Sequence, residues 1–357
     1  MRILLTADPE IPVPPQGYGG IERIVDALVR TFAARGHTVG IVAHADSQSP
    51  AAMCFAWPGR RSASRGDTVH NVLALRRAVL AFQPDVLHSF SRLAYLLPLL
   101  PTRLPKVMSY QRHTGGRQVT LAARLGGRSL RFTGCSEFIS AQGRRAGGIW
   151  RAIHNFIEPD RFTFTADVAP DAPLVFLSRI ESIKGADQAI AIARAAGRRL
   201  VLAGNHAPSG LELEFWESKI APQLGRDGVE WIGEVNDMQK NELLGRAAAL
   251  LVPIQWDEPF GIVFAEALAC GTPVLTCARG ATPEIVEEGR TGFFLQTVEE
   301  GVAAVRRLGE LDRAECRRAA EGRFSAQACS NAYLALYEEL IASASAKTST
   351  PYESVAR

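Results

Sequence analysis

The sequence lacks the features that mark several common classes of protein. None of its six cysteines forms a C-x-x-C pair, which argues against a structural zinc site. No apolar run approaches the roughly 18–20 residues that span a bilayer, and the N-terminal apolar run is too short for a signal peptide. We therefore expect a cytoplasmic protein. A net charge of only +3 argues against a nucleic-acid-binding protein.

Apolar runs of strand length alternate with helical segments along nearly the whole chain. These runs are continuous, as expected for parallel strands covered on both faces. The predicted strands are residues 2–6, 39–43, 85–88, 106–109, 132–135, 174–177, 200–204, 229–232, 250–253 and 273–276. With 357 residues, the alternation predicts an α/β protein with two doubly wound, Rossmann-like domains and a ligand cleft between them.

Prolines and aspartates interrupt this alternation at residues 159–173, which we interpret as a linker. The predicted organisation is an N-terminal domain at 1–165, a C-terminal domain at 172–325 and a helix at 326–342 that packs back on the N-terminal domain. The Ser-, Ala- and Thr-rich residues 343–357 are expected to be disordered.

Two segments have the residues needed to bind phosphate. Gly17, Gly19 and Gly20, with Tyr18 between them, precede a predicted helix, where backbone N–H groups can approach phosphate oxygens. The loop does not match the G-x-G-x-x-G fingerprint of dinucleotide-binding proteins, because glutamate occupies the third glycine position. A purely structural turn remains an alternative. Arg179 and Lys184 follow the strand at 174–177, and their side chains are suited to binding a diphosphate. The alternative interpretation is that both are solvated cations at the start of a helix.

Two glutamates lie eight residues apart around a predicted helix start. Glu258 is expected in the loop after the strand at 250–253, and Glu266 on the following helix. The backbone amides of Phe260, Gly261 and Ile262 would then lie at a helix N-terminus, ready for an anionic or hydroxyl-rich ligand. Acidic residues that only complement the helix dipole are the alternative interpretation.

Residues 258–266, followed by Gly-Thr-Pro-Val at 271–274 and Pro-Glu-Ile-Val at 283–286, resemble the signature of retaining glycosyltransferases of family 4, which have the GT-B fold. The glycine loop resembles that family's loop near the donor diphosphate. The resemblance implies that the N-terminal domain binds the acceptor and the C-terminal domain binds the nucleotide-sugar.

The resemblance also implies a role for each candidate residue. Arg179 and Lys184 would hold the donor phosphates, Glu258 the donor sugar and Glu266 the ribose hydroxyls. The remaining candidates are His113 near the reacting sugar, the backbone of Glu234 and Val235 at the nucleobase, and further contacts at His88, Ser89 and Asn155.

The predicted reaction is transfer of a sugar, with retention, from a nucleoside diphosphate donor, UDP in our hypothesis, to a glycan, glycolipid or small-molecule acceptor. The bacterial cell envelope and natural products both offer such acceptors. No D-x-D motif occurs, so we expect neither a catalytic metal nor another cofactor. A GT-B sugar-nucleotide epimerase and a non-catalytic two-domain sugar-binding protein remain alternatives.

Positive charge is concentrated between residues 101 and 151, where ten lysines and arginines face only Glu137. One interpretation is a solvated face. The other is a surface for an anionic acceptor or for peripheral contact with anionic lipid at the inner face of the membrane.

Overall fold

The computed structural model describes residues 1–15, 19–114 and 116–345. The chain forms two compact units. The first comprises Met1–His154 together with the segment from Ala326 onwards, and the second comprises Asn155–Ser325.

The first unit is built on a seven-stranded parallel sheet with the order β3-β2-β1-β4-β5-β6-β7. Its strands are β1 Arg2–Thr6, β2 Thr38–Ala43, β3 Met53–Ala56, β4 Val86–Ser89, β5 Lys106–Tyr110, β6 Leu130–Gly134 and β7 Trp150–Ala152. The helices between them are α1 Gly20–Ala34, α2 Arg65–Phe82, α3 Gly116–Gly126 and α4 Glu137–Arg145.

The second unit has a six-stranded parallel sheet with the order β10-β9-β8-β11-β12-β13. Its strands are β8 Leu174–Leu177, β9 Leu200–Ala203, β10 Val229–Trp231, β11 Ala249–Val252, β12 Val274–Thr276 and β13 Gly292–Phe294. Its helices are α5 Ala186–Ala195, α6 Leu211–Phe215, α7 Asp237–Arg246, α8 Ile262–Ala269, α9 Thr282–Ile285, α10 Val298–Arg306 and α11 Arg313–Phe324.

The α/β class with two doubly wound sheets is confirmed. The central strands β1, β4, β8, β9 and β11 are buried along almost their whole length, which is why they read as continuous apolar runs. Three strands were missed, and all three lie at sheet edges: β3, β7 and β13. The interdomain cleft stays a prediction.

The proline-containing segment at 159–173 belongs to the second unit. The backbone N–H of Thr163 donates to Asn241 Oδ1 at 2.9 Å, and that of Thr165 donates to the Cys270 carbonyl at 3.1 Å. The Arg313 guanidinium in turn donates to the Thr165 carbonyl at 2.7 Å. This stretch is therefore fastened to α7, α8 and α11, and the first unit ends ahead of it, at His154.

The last helix, α12 Ala326–Ser345, belongs to the first unit. Its Tyr333 and Tyr337 are buried, and Arg151 donates to the Glu339 carboxylate at 2.9 Å. We predicted disorder from residue 343, but residues 343–345 form the end of α12, so the helix is three residues longer than predicted. The rest of the predicted disordered segment, 346–357, lies outside the described residues. Within the described ranges, no helix combines the length and the apolar character needed to cross a bilayer.

Candidate functional site

The sheet of the second unit changes its winding direction between β8 and β11. Strand β8 pairs with β9 on one side and with β11 on the other, so that the loops following β8 and β11 diverge at the carboxyl edge. In open α/β sheets, ligands bind at this kind of switch point. Arg179 and Lys184 follow β8, and Glu258 follows β11, so three of the candidate residues lie at this point.

Lys184 and Glu258 form one ion pair although they are 74 residues apart. Lys184 Nζ donates to Glu258 Oε2 at 2.6 Å, and Trp256 Nε1 donates to the same oxygen at 2.9 Å. The ammonium also lies 4.6 Å from the centre of the Trp256 ring, within cation–π range. Their side chains are only 11% and 13% exposed, so the pair has limited hydration and a fixed geometry. Trp256 was not among the predicted residues.

Two glycines allow the backbones around this pair to approach closely. Gly185 has φ +77°, and a Cβ there would lie 2.1 Å from the Pro253 carbonyl oxygen. A Cβ on Gly280 would lie 2.3 Å from the Glu258 carbonyl oxygen, which accepts a hydrogen bond from the Ala281 N–H at 2.8 Å. Any larger residue at either position would displace a loop that carries the ion pair.

Arg179 has a different environment from Lys184. Its side chain is 51% exposed and is paired with Glu181, within the same loop, at 2.5 Å. In the described part of the chain no hydrogen bond or ion pair joins it to the Lys184–Glu258 pair. The structure therefore joins two of the three residues predicted at the switch point and leaves the third at the surface.

Helix α8 begins directly after the Glu258 loop. Gly261 is its N-cap residue with φ +88°, and no side chain in the part of the chain that the structure describes caps the helix. A Cβ at this position would lie 2.5 Å from the Phe264 ring, which is why glycine is needed. The helix starts at Ile262, as the sequence predicted, whereas the Phe260 side chain is buried. The start of α8 therefore offers backbone donors and the positive end of a helix dipole.

Glu266, one turn into α8, forms a second ion pair. Lys240 Nζ on α7 donates to Glu266 Oε1 at 2.5 Å and lies 3.4 Å from Asp237 Oδ1. The two paired side chains are 18% and 13% exposed. Sequence reasoning missed Lys240. The sequence feature that could have indicated Lys240 is its position one turn into the helix that follows the predicted nucleobase loop.

Glu234 and Val235 lie in the loop between β10 and α7. Glu234 is exposed and Val235 is half-buried. Asn236 and Gln239 form a capping box that fixes the start of α7, and hence the orientation of Lys240. The nucleobase role of the loop stays a prediction.

In the first unit, Gly17 and Tyr18 of the glycine loop lie outside the described residues. Gly19 has φ +156°, and a Cβ there would lie 2.7 Å from Pro15 Cβ and 3.0 Å from Glu22 Oε2. Gly20 is the first residue of α1. The helix start was thus predicted correctly, and phosphate binding by this loop stays a prediction.

Two polar side chains that sequence reasoning missed lie at the carboxyl edge of the first sheet. Asp8 follows β1 and Gln111 follows β5. Asp8 Oδ1 and both polar atoms of the Gln111 amide are buried and without a hydrogen-bond partner among the described residues. Burial, together with the carboxylates of Glu10 and Glu22, raises the pKa of Asp8 to about 6. Buried polar atoms of this kind are rare in folded proteins and are suited to binding a polar ligand.

His113 is exposed and lies after β5. Its Nδ1 is 2.9 Å from Gln142 Oε1, and its ring meets Phe138 edge-on at 5.8 Å. These contacts fix the orientation of the imidazole. Its role near a reacting sugar stays a prediction.

The prediction that His88 contacts a ligand is wrong. The residue is fully buried in β4, where its two ring nitrogens lie 2.6 Å from Tyr337 Oη and 2.6 Å from Ser109 Oγ. Burial lowers the pKa of His88 to about 3, so the ring stays neutral. Its function is to join α12 to the sheet. Ser89 and Asn155 are buried as well.

No group of three or more His, Cys, Asp and Glu side chains in the described ranges is arranged to hold a metal ion. Metal-independent activity stays a prediction, since it depends on how the diphosphate is held.

Two family models match the chain. The model described as "Glycosyl transferases group 1" matches residues 167–323, and that described as "Glycosyltransferase Family 4" matches residues 18–161. With the two Rossmann-like sheets, these matches define a glycosyltransferase of the GT-B class. The chain belongs to the group 1 and family 4 glycosyltransferases, which confirms the family predicted from the sequence.

Solved structures and curated relatives agree with this class. AviGT4, a glycosyltransferase involved in avilamycin A biosynthesis, is 27% identical with a TM-score of 0.71 and covers 96% of this chain and 98% of its own. Anabaena HepE, solved in complex with UDP-glucose, shares the fold at 18% identity with a TM-score of 0.72, over 95% of this chain and 100% of its own. A D-inositol 3-phosphate glycosyltransferase from Nocardioides sp. is 37% identical over 42% of this chain. The match spans about a third of that relative's length.

Proposed function

We propose that this glycosyltransferase transfers a sugar from a UDP-sugar to an acceptor hydroxyl with retention of configuration. The observation that carries the proposal is the Lys184–Glu258–Trp256 cluster at the switch point of the second unit. An ammonium has three N–H donors. Glu258 accepts from one of them, and the others are available to phosphate oxygens.

The same cluster offers a carboxylate to the sugar. Among the described residues, Lys184 and Trp256 both hold Glu258 through one oxygen, Oε2, so Oε1 can accept from sugar hydroxyls. Glu266, fixed by Lys240, is suited to the ribose hydroxyls in the same way. The complex of HepE with UDP-glucose supports UDP as the donor nucleotide.

In the proposed reaction, the bond between the anomeric carbon and the diphosphate oxygen breaks, and the acceptor oxygen bonds to that carbon from the same face. The acceptor proton moves to the departing phosphate. Negative charge grows on the leaving diphosphate, and fixed donors such as Lys184 and the amides at the start of α8 stabilise it most in the transition state. These donors take the place of a metal ion.

The acceptor would bind to the first unit. Asp8 Oδ1 and the Gln111 amide, buried and without partners in the described part of the chain, are suited to acceptor hydroxyls. AviGT4, involved in avilamycin A biosynthesis, and the D-inositol 3-phosphate glycosyltransferase support a small hydroxyl-rich acceptor.

A panel of nucleotide-sugars tests this function by release of the nucleoside diphosphate, with and without candidate acceptors such as inositol phosphate. We expect release with a UDP-sugar and loss of activity in Lys184→Met. The control is Lys219→Met, which changes an exposed lysine of the same unit. Binding without release would indicate a sugar-binding protein, and an acceptor-independent change at a sugar carbon would indicate an epimerase. The α or β configuration of the product, read by NMR, decides between retention and inversion.

A further inference from the structure

Trp256 lies in the loop between β11 and α8, and the backbone of this loop is fixed on both sides of the indole. Ahead of it, the Gln255 N–H donates to the Ile183 carbonyl at 2.8 Å. Beyond it, the Glu258 carbonyl accepts from the Ala281 N–H at 2.8 Å. The loop that carries the indole is therefore fastened to the loops that follow β8 and β12.

The indole presents two different surfaces to the Lys184–Glu258 pair. Its N–H, which lies in the plane of the ring, donates to Glu258 Oε2 at 2.9 Å. The face of the ring carries the negative part of the quadrupole, and its centre lies 4.6 Å from Lys184 Nζ. One uncharged side chain thus stabilises the carboxylate and the ammonium together, and it adds no charge that would attract or repel a diphosphate.

A carboxylate held by a lysine alone would not have a fixed orientation. The terminal torsion of glutamate is broad, and a lysine ammonium has three rotatable donors on a flexible stem. An indole is rigid, and its single N–H points in one direction. Lys184 and Trp256 both donate to Glu258 Oε2, so together they set the rotation of the carboxylate and with it the direction of Oε1.

We propose that Trp256 is a positioning residue that directs Glu258 Oε1 at a hydroxyl group of the donor sugar and thereby sets the preference among donor sugars. The inference rests on the proposed function, in which Glu258 binds that sugar. The Glu258 side chain is only 13% exposed, so a sugar without a hydroxyl at the right position leaves a desolvated carboxylate oxygen unpaired. The N–H of Trp256 acts on the sugar through Glu258, and its ring face acts on the diphosphate through Lys184.

Two substitutions separate these effects in titrations and kinetics with UDP, UDP-glucose, UDP-galactose and UDP-N-acetylglucosamine. Trp256→Phe removes the N–H and keeps an aromatic face towards Lys184, whereas Trp256→Leu removes both. We expect Trp256→Phe to bind UDP within about twofold of the unchanged protein. It should lower the affinity and kcat/KM for the best UDP-sugar, and its preference over the next, about three- to tenfold. Trp256→Leu should in addition weaken UDP binding about two- to fivefold.

A double-mutant cycle tests whether Trp256 acts through Glu258. Because Glu258→Ala removes the carboxylate, adding Trp256→Phe to it should weaken UDP-sugar binding by less than about twofold more. A residue that only stabilises the loop would weaken the binding of UDP and of UDP-sugars alike, and its effect would add to that of Glu258→Ala. The control is Trp150→Phe, which removes an N–H that donates to the Gly147 carbonyl at 2.9 Å, at the amino end of β7 in the first unit. It should leave all these values unchanged.

Nitrogen-15 NMR of the indole groups reports the contact without turnover. The chain has five tryptophans, and the indole signal that is missing from Trp256→Phe identifies Trp256. This signal should shift in Glu258→Ala, because its acceptor is gone, while the Trp150 signal should stay in place. An unshifted Trp256 signal would overturn the contact on which the proposal depends.

The outcomes distinguish this inference from the proposed function. Absence of turnover with every nucleotide-sugar would overturn the proposed function, and the titrations with UDP and UDP-sugars would still decide the role of Trp256. An unchanged preference among UDP-sugars in Trp256→Phe, with the fold intact by circular dichroism, would overturn the positioning role. An equal loss of affinity for UDP and for UDP-sugars would overturn it as well, because the indole would then only stabilise the loop.

Discussion

Replacement of Lys184 is the most direct test of the switch-point cluster. Lys184→Met keeps a similar length and its apolar stem but removes the ammonium that lies between Glu258 and the proposed diphosphate. A hydrogen bond to a charged group contributes about 1.5–3 kcal/mol, which corresponds to a fall in kcat/KM of about 10–150-fold. If the contact strengthens as the leaving group gains charge, kcat must fall as well as KM rise.

The paired carboxylate makes the prediction sharper. In Lys184→Met, the one side-chain donor left to the Glu258 carboxylate among the described residues is the Trp256 N–H at 2.9 Å, and the carboxylate charge repels the donor phosphates. Glu258→Gln removes that charge and can retain the hydrogen bonds. The double variant Lys184→Met with Glu258→Gln should therefore bind UDP more tightly than Lys184→Met alone, by about twofold or more, since residues in contact couple by roughly 0.5–3 kcal/mol.

Isothermal titration with UDP and steady-state kinetics measure both effects, with Lys219→Met as the control. Arg179→Met should cost less, about three- to tenfold, because Arg179 is half-exposed and has Glu181 as a competing partner. Turnover of Lys184→Met equal to that of the unchanged protein, with the fold intact by circular dichroism, would refute the assignment of the diphosphate to this cluster.

The other predictions concern the second ion pair, the metal and the buried histidine. Lys240→Met and Glu266→Gln should each weaken UDP binding about tenfold and change kcat little, because ribose hydroxyls do not change during transfer; a loss confined to kcat would contradict this role. Activity should persist in EDTA, and loss that is restored by magnesium or manganese would show that a cation holds the diphosphate. Burial lowers the pKa of His88 from about 6.5 in the unfolded state to about 3 in the native state. As the pH falls below 6.5, the imidazole is therefore protonated in the unfolded state but not in the native state, and the free energy of unfolding decreases. Urea denaturation should show a loss of about 2 kcal/mol from this residue between pH 6.5 and 5, and His88→Asn should lack it.

The sequence predicted the central strands because those strands are buried on both faces. Edge strands gave a weaker signal: Met53–Ala56 is mostly exposed, and β7 and β13 are three residues each. His88 shows the opposite error. Its position at a strand end suggested a ligand contact. In the structure, α12 covers it through Tyr337, which lies 249 residues later in the sequence. Local patterns carry no information about which distant helix packs over a strand.

The sequence was sufficient to predict the edge of the sheet at which the candidate site lies. It was not sufficient to predict which side chains contact one another there. The ends of β8 and β11 each carried a polar signal, and parallel strands bring their carboxyl ends to one edge. That Lys184 meets Glu258 depends on β8 and β11 being neighbours, which follows from the strand order and not from either segment. Trp256 and Lys240 were missed because an aromatic residue and a lysine near the start of a helix both have ordinary structural explanations.

The spacing of eight between the two glutamates has a physical meaning in this structure. Glu258 precedes α8 and is held by a lysine from the loop after β8, whereas Glu266 lies on α8 and is held by a lysine from α7. Each residue of an α-helix turns by about 100°, so a shift of one position along α8 would rotate the second carboxylate away from Lys240. Gly261 fixes where the helix begins, and with it the direction in which Glu266 projects. The spacing therefore keeps two lysine-bound carboxylates in fixed positions on separate elements, which suits the proposed donor, with one group of hydroxyls on either side of its diphosphate.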